Sequence, residues 1–319
     1  MVQAVLFALI VNKGCNMSIK EIIRHPKMLY ISATNRGLTS WVPDELHIRL
    51  LWRIKRGCPI DLKCPKTYME KLQWLKLHDR NPMYTTMVDK LEMKSWVSKK
   101  IGSQYVVPVY SSWDCFDDIN PSNLPNRFVL KTTNDSSGLS VCKEKSSFDW
   151  DSARQKVNAS LRRNYFDVWR EWPYKNVKPR VFAEALLEER GSCQDGVLTD
   201  YKFFCFNGVP KIMYVSQDAS ISPHTDFFDM NFNHLSIRMA DPNADILPPK
   251  PKKFEEMKSL AAKLSEGIPH VRVDFYCVND CVYVGELTFY HNAGFSEIEP
   301  EEWDQRMGDW IDLSLAYGA

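Results

Sequence analysis

Residues 271–286 have the pattern of two β-strands joined by a tight turn, and they constrain the fold more than any other stretch. Arg272 and Asp274 lie in the first strand, Asn279-Asp280 forms the turn, and Glu286 lies in the second strand. If the strands pair, the three charged side chains can share one face of a sheet. Two carboxylates beside an arginine suit Mg²⁺ and the phosphates that it bridges. An ordinary hairpin with a surface salt bridge is the alternative.

The bulk composition predicts a folded protein of one large domain or two to three smaller ones. Of the 319 residues, 44% are hydrophobic and 12% aromatic, which is enough to build substantial cores. The 41 lysines and arginines nearly balance the 40 aspartates and glutamates, which leaves a net charge of +1. No overall field therefore attracts nucleic acid, which we do not expect as a partner. Any anion must be bound by a local group of residues.

The nine cysteines indicate a reducing compartment. Their number is odd, they are scattered along the chain from Cys15 to Cys281, and they lack the CxxC pairs that structural zinc prefers. We therefore expect a cytoplasmic protein with reduced and mostly buried thiols.

The apolar segment at residues 2–11 is too short to span a membrane, which takes about 20 residues. It also lacks the basic stretch that precedes the apolar part of a signal peptide. We interpret the segment as a buried N-terminal element, with a shallow peripheral contact at the inner face of the membrane as the alternative.

Helical spacing dominates the first 80 residues, and strands and helices are mixed after them. Helices are predicted at residues 43–57, 70–77, 86–100, 151–164, 254–264 and 299–313. Strands are predicted at residues 128–131, 180–187, 201–206 and 211–215, with Asn207-Gly208 as a hairpin turn. This order favours an α+β architecture with antiparallel sheets over a regular βαβ winding.

Two lysines are candidates for phosphate binding. Lys131 ends the strand at 128–131 and precedes a polar Ser/Gly loop at 132–140, but a lysine at a strand end is usually solvated. Lys90 falls in the helix predicted at 86–100, where its neighbour Lys94 is typical of a solvent-exposed face. Taken singly, neither lysine decides between binding and solvation.

The commonest catalytic and nucleotide signatures are absent from the sequence. It contains no G-x-G-x-x-G, no G-x-x-x-x-G-K-[ST], no G-x-S-x-G and no H-E-x-x-H. The aromatic and basic residues at 169–180 could bind a carbohydrate acceptor or form a packed helix end with solvated cations. The loop at 291–295 could border a substrate pocket or be a simple loop with an exposed His291.

The order of the charged motifs resembles that of the ATP-grasp superfamily over roughly residues 85–313. The motifs are Asp89-Lys90-x3-Lys94, Gly102, Pro108, Val129-Leu130-Lys131 with its Ser/Gly loop, Glu184-Ala185-Leu186-Leu187, Asp200-Tyr201-Lys202, Arg272-Val273-Asp274 and Glu286. Four strings resemble more narrowly the TupA-like ATP-grasp family of bacterial polysaccharide clusters. They are KLQWLK at 71–76, DYKFFCFNG at 200–208, VRVD at 271–274 and GELTFY at 285–290.

The resemblance implies an ATP-grasp fold, in which two α+β subdomains with antiparallel sheets flank an ATP cleft. The implied division is a mainly helical N-terminal region at 1–84, a first subdomain with a phosphate lid at 85–187, and a second subdomain with a metal site at 188–319. The usual preceding α/β domain is replaced by the helical region, so the identity of a carboxylate substrate does not carry over.

The resemblance also implies roles for individual residues. Lys90 and Lys131 match the lysines that reach the ATP phosphates, and Lys202 matches a basic residue near the γ-phosphate. Arg272 matches the arginine beside the transferred phosphoryl group. The remaining nucleotide contacts are Ser136, Ser137 and Gly138 in the lid and Glu184, Leu186 and Leu187 in the linker to adenine.

Asp274 and Glu286 match the carboxylates that bind Mg²⁺ in the family. Many ATP-grasp ligases carry an asparagine two residues after the metal glutamate, whereas this chain has Thr288. A hydroxyl is a weaker ligand than a carboxamide oxygen, so occupancy of a second metal position is left open.

The implied activity is an ATP- and Mg²⁺-dependent ligase of bacterial surface polysaccharide biosynthesis. It would convert a carboxylate, such as a uronic acid, to an acyl phosphate that an amine attacks, and its partners would be a carbohydrate or glycan acceptor and a small amine. A glycosyltransferase with a sugar nucleotide in the cleft is one alternative. A scaffold protein that binds ATP without turnover is the other, and the sequence sets no oligomeric state.

Overall fold

Helices form the first part of the chain, as their apolar spacing predicts. The computed structural model describes residues 26–135, 137–189, 198–217, 223–239 and 241–318, so the segment predicted at 2–11 lies outside the described residues. The second helix begins after Pro43 with two acidic residues and ends at Gly57, whose φ of 75° suits glycine. The five helices are α1 (Pro26–Asn35), α2 (Asp44–Arg56), α3 (Tyr68–His78), α4 (Met83–Val88) and α5 (Glu92–Ile101).

The prediction of a single helix at 86–100 is wrong, because the helical structure is interrupted between α4 and α5. The carboxylate of Asp89 accepts hydrogen bonds from the backbone N–H groups of Leu91 (2.9 Å) and Glu92 (3.0 Å). A short acidic side chain that binds the following N–H groups ends one helix and starts the next. Lys90 therefore lies in the break and not on a helix face.

A four-stranded antiparallel sheet follows the helices. Its strands are β1 (Val109–Trp113), β2 (Phe128–Thr132), β3 (Ser140–Cys142) and β4 (Val181–Glu184), in the order β1-β4-β2-β3. Helix α6 (Trp150–Leu161) packs on this sheet, and the short α7 (Tyr165–Trp169) follows it. Phe128, Leu130 and Val157 lie in the core between sheet and helix. Strand β4 is shorter than the strand predicted at 180–187.

The second sheet has six antiparallel strands. They are β5 (Asp200–Phe206), β6 (Val209–Gln217), β7 (His224–Asp229), β8 (His234–Leu235), β9 (His270–Val278) and β10 (Cys281–Thr288), in the order β10-β9-β5-β6-β7-β8. Two later helices are α8 (Phe254–Leu264) and α9 (Glu302–Asp309), and α9 is shorter than the helix predicted at 299–313. Together the two antiparallel sheets confirm the predicted α+β class.

The N-terminal helices share one core with the six-stranded sheet. Buried Leu51, Leu72 and Met87 belong to the same hydrophobic cluster as Phe204 and Phe206 of β5. Polar contacts join α3 to this sheet and to α9, since the hydroxyl of Tyr68 lies 2.9 Å from Nε2 of His270 on β9 and the backbone N–H of Met69 donates to Asp304 Oδ1 at 3.0 Å. The domain boundaries at 84 and 187 remain a prediction.

Two further predictions concern the burial of the thiols and contact with a membrane. The thiols are not mostly buried, because Cys58, Cys64, Cys115 and Cys281 are exposed among the seven cysteines that are described. Among the described residues, every helix is too short or too polar to cross a membrane.

Candidate functional site

The hairpin of β9 and β10 presents the charged residues on one face because of a β-bulge. Val284 pairs with Phe275, but the next pair is Glu286 with Asp274, so Gly285 is an extra residue in β10. Without the bulge Gly285 would face Asp274, and Glu286 would point to the opposite face of the sheet. The bulge thus brings together the side chains that the sequence predicted to share a face.

Arg272 is the centre of the polar contacts on this face. Its Nε and Nη2 atoms donate to Oδ1 and Oδ2 of Asp274, both at 2.7 Å, in a bidentate pair. Nη2 also lies 3.0 Å from Glu286 Oε1 and 3.1 Å from Thr288 Oγ1. Nη1 donates to Nδ1 of His291 at 2.6 Å. His291 is buried, which contradicts the alternative of an exposed histidine in the loop at 291–295.

Lys202 on β5 lies opposite Asp274 in the sheet. Its ammonium is 2.7 Å from Asp274 Oδ2 and 3.3 Å from Asp200 Oδ1. Burial disfavours the ionised carboxylate of Asp274, but the charges of Arg272 and Lys202 outweigh burial and lower its pKa to about 2. Burial of Lys202 is likewise outweighed by Asp274, which raises the pKa of the lysine. Both groups are therefore charged near neutral pH.

The four-stranded sheet contributes a second set of charges. Lys131 on β2 lies 2.5 Å from Glu184 Oε1, and Lys94 on α5 lies 2.8 Å from Glu184 Oε2. The two cations outweigh the burial of Glu184 and lower its pKa. Lys94 is buried, so its interpretation as part of a solvent-exposed face is wrong. The only sign of this pairing in the sequence is that Lys94 lies among apolar residues of α5.

The loop after β2 meets Lys90 from the break between α4 and α5. Lys90 Nζ donates to the carbonyl oxygen of Asp135 at 2.9 Å, and burial lowers the pKa of this lysine. Ser137 donates from its backbone N–H (3.0 Å) and its hydroxyl (3.1 Å) to Asp135 Oδ1. A Cβ at Gly138 would lie 2.4 Å from Thr132 Oγ1, so the loop needs glycine there. Ser136 lies outside the described residues.

A cavity of about 220 Å³ separates the two sheets at these charges. It unites six of the thirteen predicted site residues, and it adds Asp200 and Tyr276, which sequence reasoning did not select although Asp200 begins a quoted string. Glu184, Leu186, Leu187, Ser137, Arg272 and Thr288 are not part of its wall. The lining residues are Lys90, Lys131, Thr132, Asp135, Gly138, Leu139, Asp200, Lys202, Asp274, Tyr276, Gly285 and Glu286.

The lining of this cavity fits a polyphosphate and Mg²⁺. Three ammonium groups, those of Lys90, Lys131 and Lys202, line the same small space as the carboxylates of Asp274 and Glu286. Mg²⁺ is commonly held by one or two carboxylates together with phosphate oxygens and water. Within the described ranges no three His, Cys, Asp or Glu side chains cluster as a ready-made metal centre. The remaining ligands would therefore come from phosphate and water.

The chain is similar to one protein family and to several solved structures. The model of the TupA-like ATPgrasp family matches residues 70–312 of the chain. No curated protein sequence matches it significantly.

Three solved structures illustrate the structural similarity. D-alanine–D-alanine ligase from Bacillus anthracis complexed with ATP is 11% identical, with a TM-score of 0.39, 66% of this chain covered and 57% of the ligase. D-alanine–D-alanine ligase from Helicobacter pylori is 13% identical, with a TM-score of 0.38, 80% of this chain covered and 73% of that ligase. N5-carboxyaminoimidazole ribonucleotide synthetase from Thermus thermophilus is 9% identical, with a TM-score of 0.37, 76% of this chain covered and 52% of the synthetase. The chain thus spans less than two thirds of the Bacillus ligase.

Proposed function

The chain belongs to the TupA-like ATP-grasp family, and from this premise we propose that it is an ADP-forming ligase that uses ATP and Mg²⁺ to join a carboxylate to an amine. The family membership also fixes the ATP-grasp fold class. The substrates we propose are a carboxylate such as a uronic acid and a small amine such as an amino acid, in the assembly of a bacterial surface polysaccharide.

One observation carries the proposal. Lys131 from the four-stranded sheet, Lys202 from the six-stranded sheet and Lys90 from the break between α4 and α5 line the same cavity as Asp274 and Glu286. Phosphoryl transfer needs cations around the phosphate oxygens and a metal held by carboxylates, with donor and acceptor kept in line. A cavity lined by three lysines and by two carboxylates that could hold Mg²⁺ meets these needs better than those of a purely structural salt-bridge network.

The proposed reaction has two steps. The substrate carboxylate attacks the γ-phosphorus of ATP, the bond to the β,γ-bridging oxygen breaks, and ADP leaves with that electron pair. The amine then attacks the carbonyl carbon of the acyl phosphate, loses a proton, and displaces inorganic phosphate to give the amide. Mg²⁺, bound by Asp274 and Glu286, would neutralise charge on the phosphates during the first step.

The lysines and the arginine have separate parts in this scheme. Lys90 and Lys131 would bind the phosphate chain from the side of the four-stranded sheet. Lys202 would contact the γ-phosphate from β5, where Asp274 holds it now at 2.7 Å. Arg272 keeps Asp274 and Glu286 oriented through its hydrogen bonds to both. In this scheme it would lie beside the transferred phosphoryl group.

The first test is nucleotide binding measured by thermal shift. A ligand that binds only the folded chain stabilises it by about 2.7 kcal/mol at 100 times its Kd. We expect Mg-ATP and Mg-ADP to raise the melting temperature and UDP-sugars to leave it unchanged. Lys131→Met should reduce the shift, whereas Lys178→Met, at an exposed ion pair, should not. A shift with UDP-sugars alone would replace the ligase by a glycosyltransferase.

The second test is turnover, measured as ADP release with panels of uronic acids and amines. We expect release to require both an acceptor carboxylate and Mg²⁺. Glu286→Gln removes a metal ligand while keeping the size of the side chain, so Mg²⁺-dependent turnover should be abolished with the fold intact. Glu301→Gln, on the exposed surface, is the matched control. Wild-type turnover in Glu286→Gln would refute the metal assignment, and nucleotide binding without any turnover would favour a scaffold.

A further inference from the structure

The cavity of about 220 Å³ between the two sheets is called the phosphate cavity below, after its proposed ligand. A second cavity, of about 180 Å³, adjoins it and shares Asp135 and Glu286 with it. Its walls come from α7 and the segment after it, from the end of β10, and from the loop that follows β10. No role has been assigned to it so far. The lining residues are Asp135, Tyr165, Glu171, Tyr174, Arg272, Glu286, Thr288, Tyr290, Asn292 and Ala293.

Glu171 is the residue in this cavity that its surroundings leave unsatisfied. The residue is only 3% exposed, yet Oε1 of its carboxyl group has no hydrogen-bond partner among the described residues. A buried polar atom without a partner costs about 1–3 kcal/mol, so each such atom calls for an explanation. Because Glu171 also lines the cavity, a molecule that enters it could supply the partner that the carboxyl group lacks.

A buried cation that acts on Glu171 does not supply the missing partner of Oε1. Lys76 exerts an electrostatic influence on it, but the ammonium of Lys76 donates to the carbonyl oxygens of Trp169 (2.9 Å) and Ala293 (2.8 Å). Burial raises the pKa of Glu171 to about 8 despite this lysine. A cationic partner inside the cavity would lower the cost of ionising the carboxyl group.

The other charges in the cavity are already engaged. Asp135 Oδ2 lies 3.2 Å from Arg163, and each nitrogen of the Arg272 guanidinium contacts a side chain of the protein. Arg272 is the only cation in the described lining, so a ligand carboxylate would find no unengaged positive group there. A ligand amino group, by contrast, would find Glu171 and the rings of three tyrosines, which attract cations.

We propose that this second cavity is the amine site of the ligase, and that Glu171 binds the amino group of a small primary amine. The inference rests on the proposed function and adds the location and recognition of the nucleophile. The shared wall of Asp135 and Glu286 places the amine next to the phosphate cavity, where the activated carboxylate would form. The volume suits a ligand of the size of an amino acid or an amino sugar.

The test uses two matched pairs of probes, because the natural amine is unidentified. The pairs are ethanolamine with N-acetylethanolamine, and glucosamine with N-acetylglucosamine, in which acetylation removes the charge and keeps the rest of the molecule. Binding to the full chain is followed by saturation-transfer NMR in the presence of Mg-ADP. We expect signals from at least one free amine and at least a fivefold weaker signal from its acetylated partner.

The variant Glu171→Gln should reduce the amine signal at least fivefold, whereas Glu301→Gln should leave it unchanged. Equal signals in wild type and Glu171→Gln would overturn the proposal, as would the absence of an amine signal in wild type. If Glu171→Gln does not fold, the comparison of free and acetylated probes on the wild-type chain still decides, because equal binding of the two contradicts recognition of a cation.

Two further measurements separate this inference from the proposed function. Glu171→Gln should keep the full thermal shift with Mg-ATP, since the residue lies outside the phosphate cavity. In turnover assays it should raise the KM of the amine at least tenfold and change the KM of ATP less than twofold. Loss of the Mg-ATP shift in the wild-type chain would refute the ligase, while unchanged amine KM in Glu171→Gln would refute the amine site alone.

Discussion

At the scale of single residues, Arg272 organises the site. It is almost completely buried and holds two carboxylates, a threonine and a histidine through its three nitrogens. Burial, reinforced by the charge of Arg272, lowers the pKa of His291 well below its usual value, so the ring is neutral and its Nδ1 accepts the hydrogen bond. The guanidinium is thereby held by a fixed set of hydrogen-bond partners.

Removal of Arg272 should destabilise the fold. Arg272→Met leaves Asp274 buried with only Lys202 as its partner, and breaking a buried ion pair in this way costs about 3–5 kcal/mol. The free energy of unfolding in urea measures the loss. Arg238→Met is the matched control, because its pair with Glu299 is exposed and such pairs contribute about 0–1 kcal/mol. Equal losses in the two variants would show that the buried network adds nothing.

His270 should make the fold sensitive to acid. Burial lowers its pKa to about 3, while Nε2 lies 2.9 Å from the Tyr68 hydroxyl and Nδ1 lies 3.0 Å from the Cys205 carbonyl oxygen. Between pH 6.5 and 3 the unfolded chain binds a proton that the folded chain does not, so stability falls as the pH decreases through this window. Above pH 6.5 this contribution is fully present.

The measurement is the free energy of unfolding as a function of pH. One proton bound only by the unfolded chain gives a slope of about 1.4 kcal/mol per pH unit. His270→Gln should be less stable at pH 7 but lose less stability on acidification than the wild-type chain. His224→Gln, on a partly exposed strand position, should keep the wild-type slope. An unchanged slope in His270→Gln would assign the acid sensitivity to other groups.

At the scale of secondary-structure elements, the bulge in β10 decides the geometry of the site. A hairpin that continued the pairing of Val278 with Cys281 without interruption would set Gly285 opposite Asp274. The bulge shifts the register by one residue and turns Glu286 and Thr288 towards Arg272. A one-residue feature of the strand thus determines which side chains can meet.

Gly285→Ala should weaken binding of Mg-ATP. A Cβ at this position would lie 2.9 Å from Cε2 of Tyr276, closer than such contacts allow, so the ring or the bulge must move. Both line the phosphate cavity. We expect the thermal shift with Mg-ATP to fall, with an apparent Kd at least fivefold higher.

A double-mutant cycle identifies the cause. If the ring of Tyr276 is the obstacle, Gly285→Ala should have little further effect in a Tyr276→Ala background, because the ring that the new Cβ would meet is then absent. The effects of the two substitutions would then not be additive. Additive effects of the two substitutions would instead indicate strain in the bulge itself.

At the scale of the whole molecule, the site depends on elements far apart in the sequence. One wall carries Lys131 from β2, and the other carries Lys202 from β5 and the carboxylates from β9 and β10. The segment from α4 to α5 completes it, because Lys90 reaches the loop after β2 from the break between these helices and Lys94 contacts Glu184. The N-terminal helices therefore contribute to the candidate site as well as to the core.

A fragment of residues 85–319 should not fold cooperatively on its own. Without α2 and α3 it would expose the side of the six-stranded sheet where Tyr68 contacts Phe204 and Phe206, together with other buried residues of the shared core. We expect a broad thermal transition by circular dichroism and no shift with Mg-ATP, against a single sharp transition for the full chain. A sharp transition with nucleotide stabilisation would show instead that the subdomains predicted at 85–187 and 188–319 are independent of the helices.

The sequence was sufficient for features that depend on local patterns. Apolar periodicity predicted α2, α8 and the strands β2, β5 and β6, and the turn at Asn207-Gly208 follows from residues that accept positive φ. The ordered motifs predicted the family and named the lysines and carboxylates that line the phosphate cavity. The roles of those residues stay predictions until the variants are measured.

Only the tertiary structure decided contacts between distant segments and shifts of a single residue. The bulge at Gly285, the pairing of Glu184 with two lysines and the unsatisfied Glu171 leave no periodic trace in the sequence. Hydrophobic spacing reports which face of an element is buried, because burial acts on every turn or alternate residue. It does not report which charged side chains meet across a cavity, since that depends on register and on packing between the two sheets.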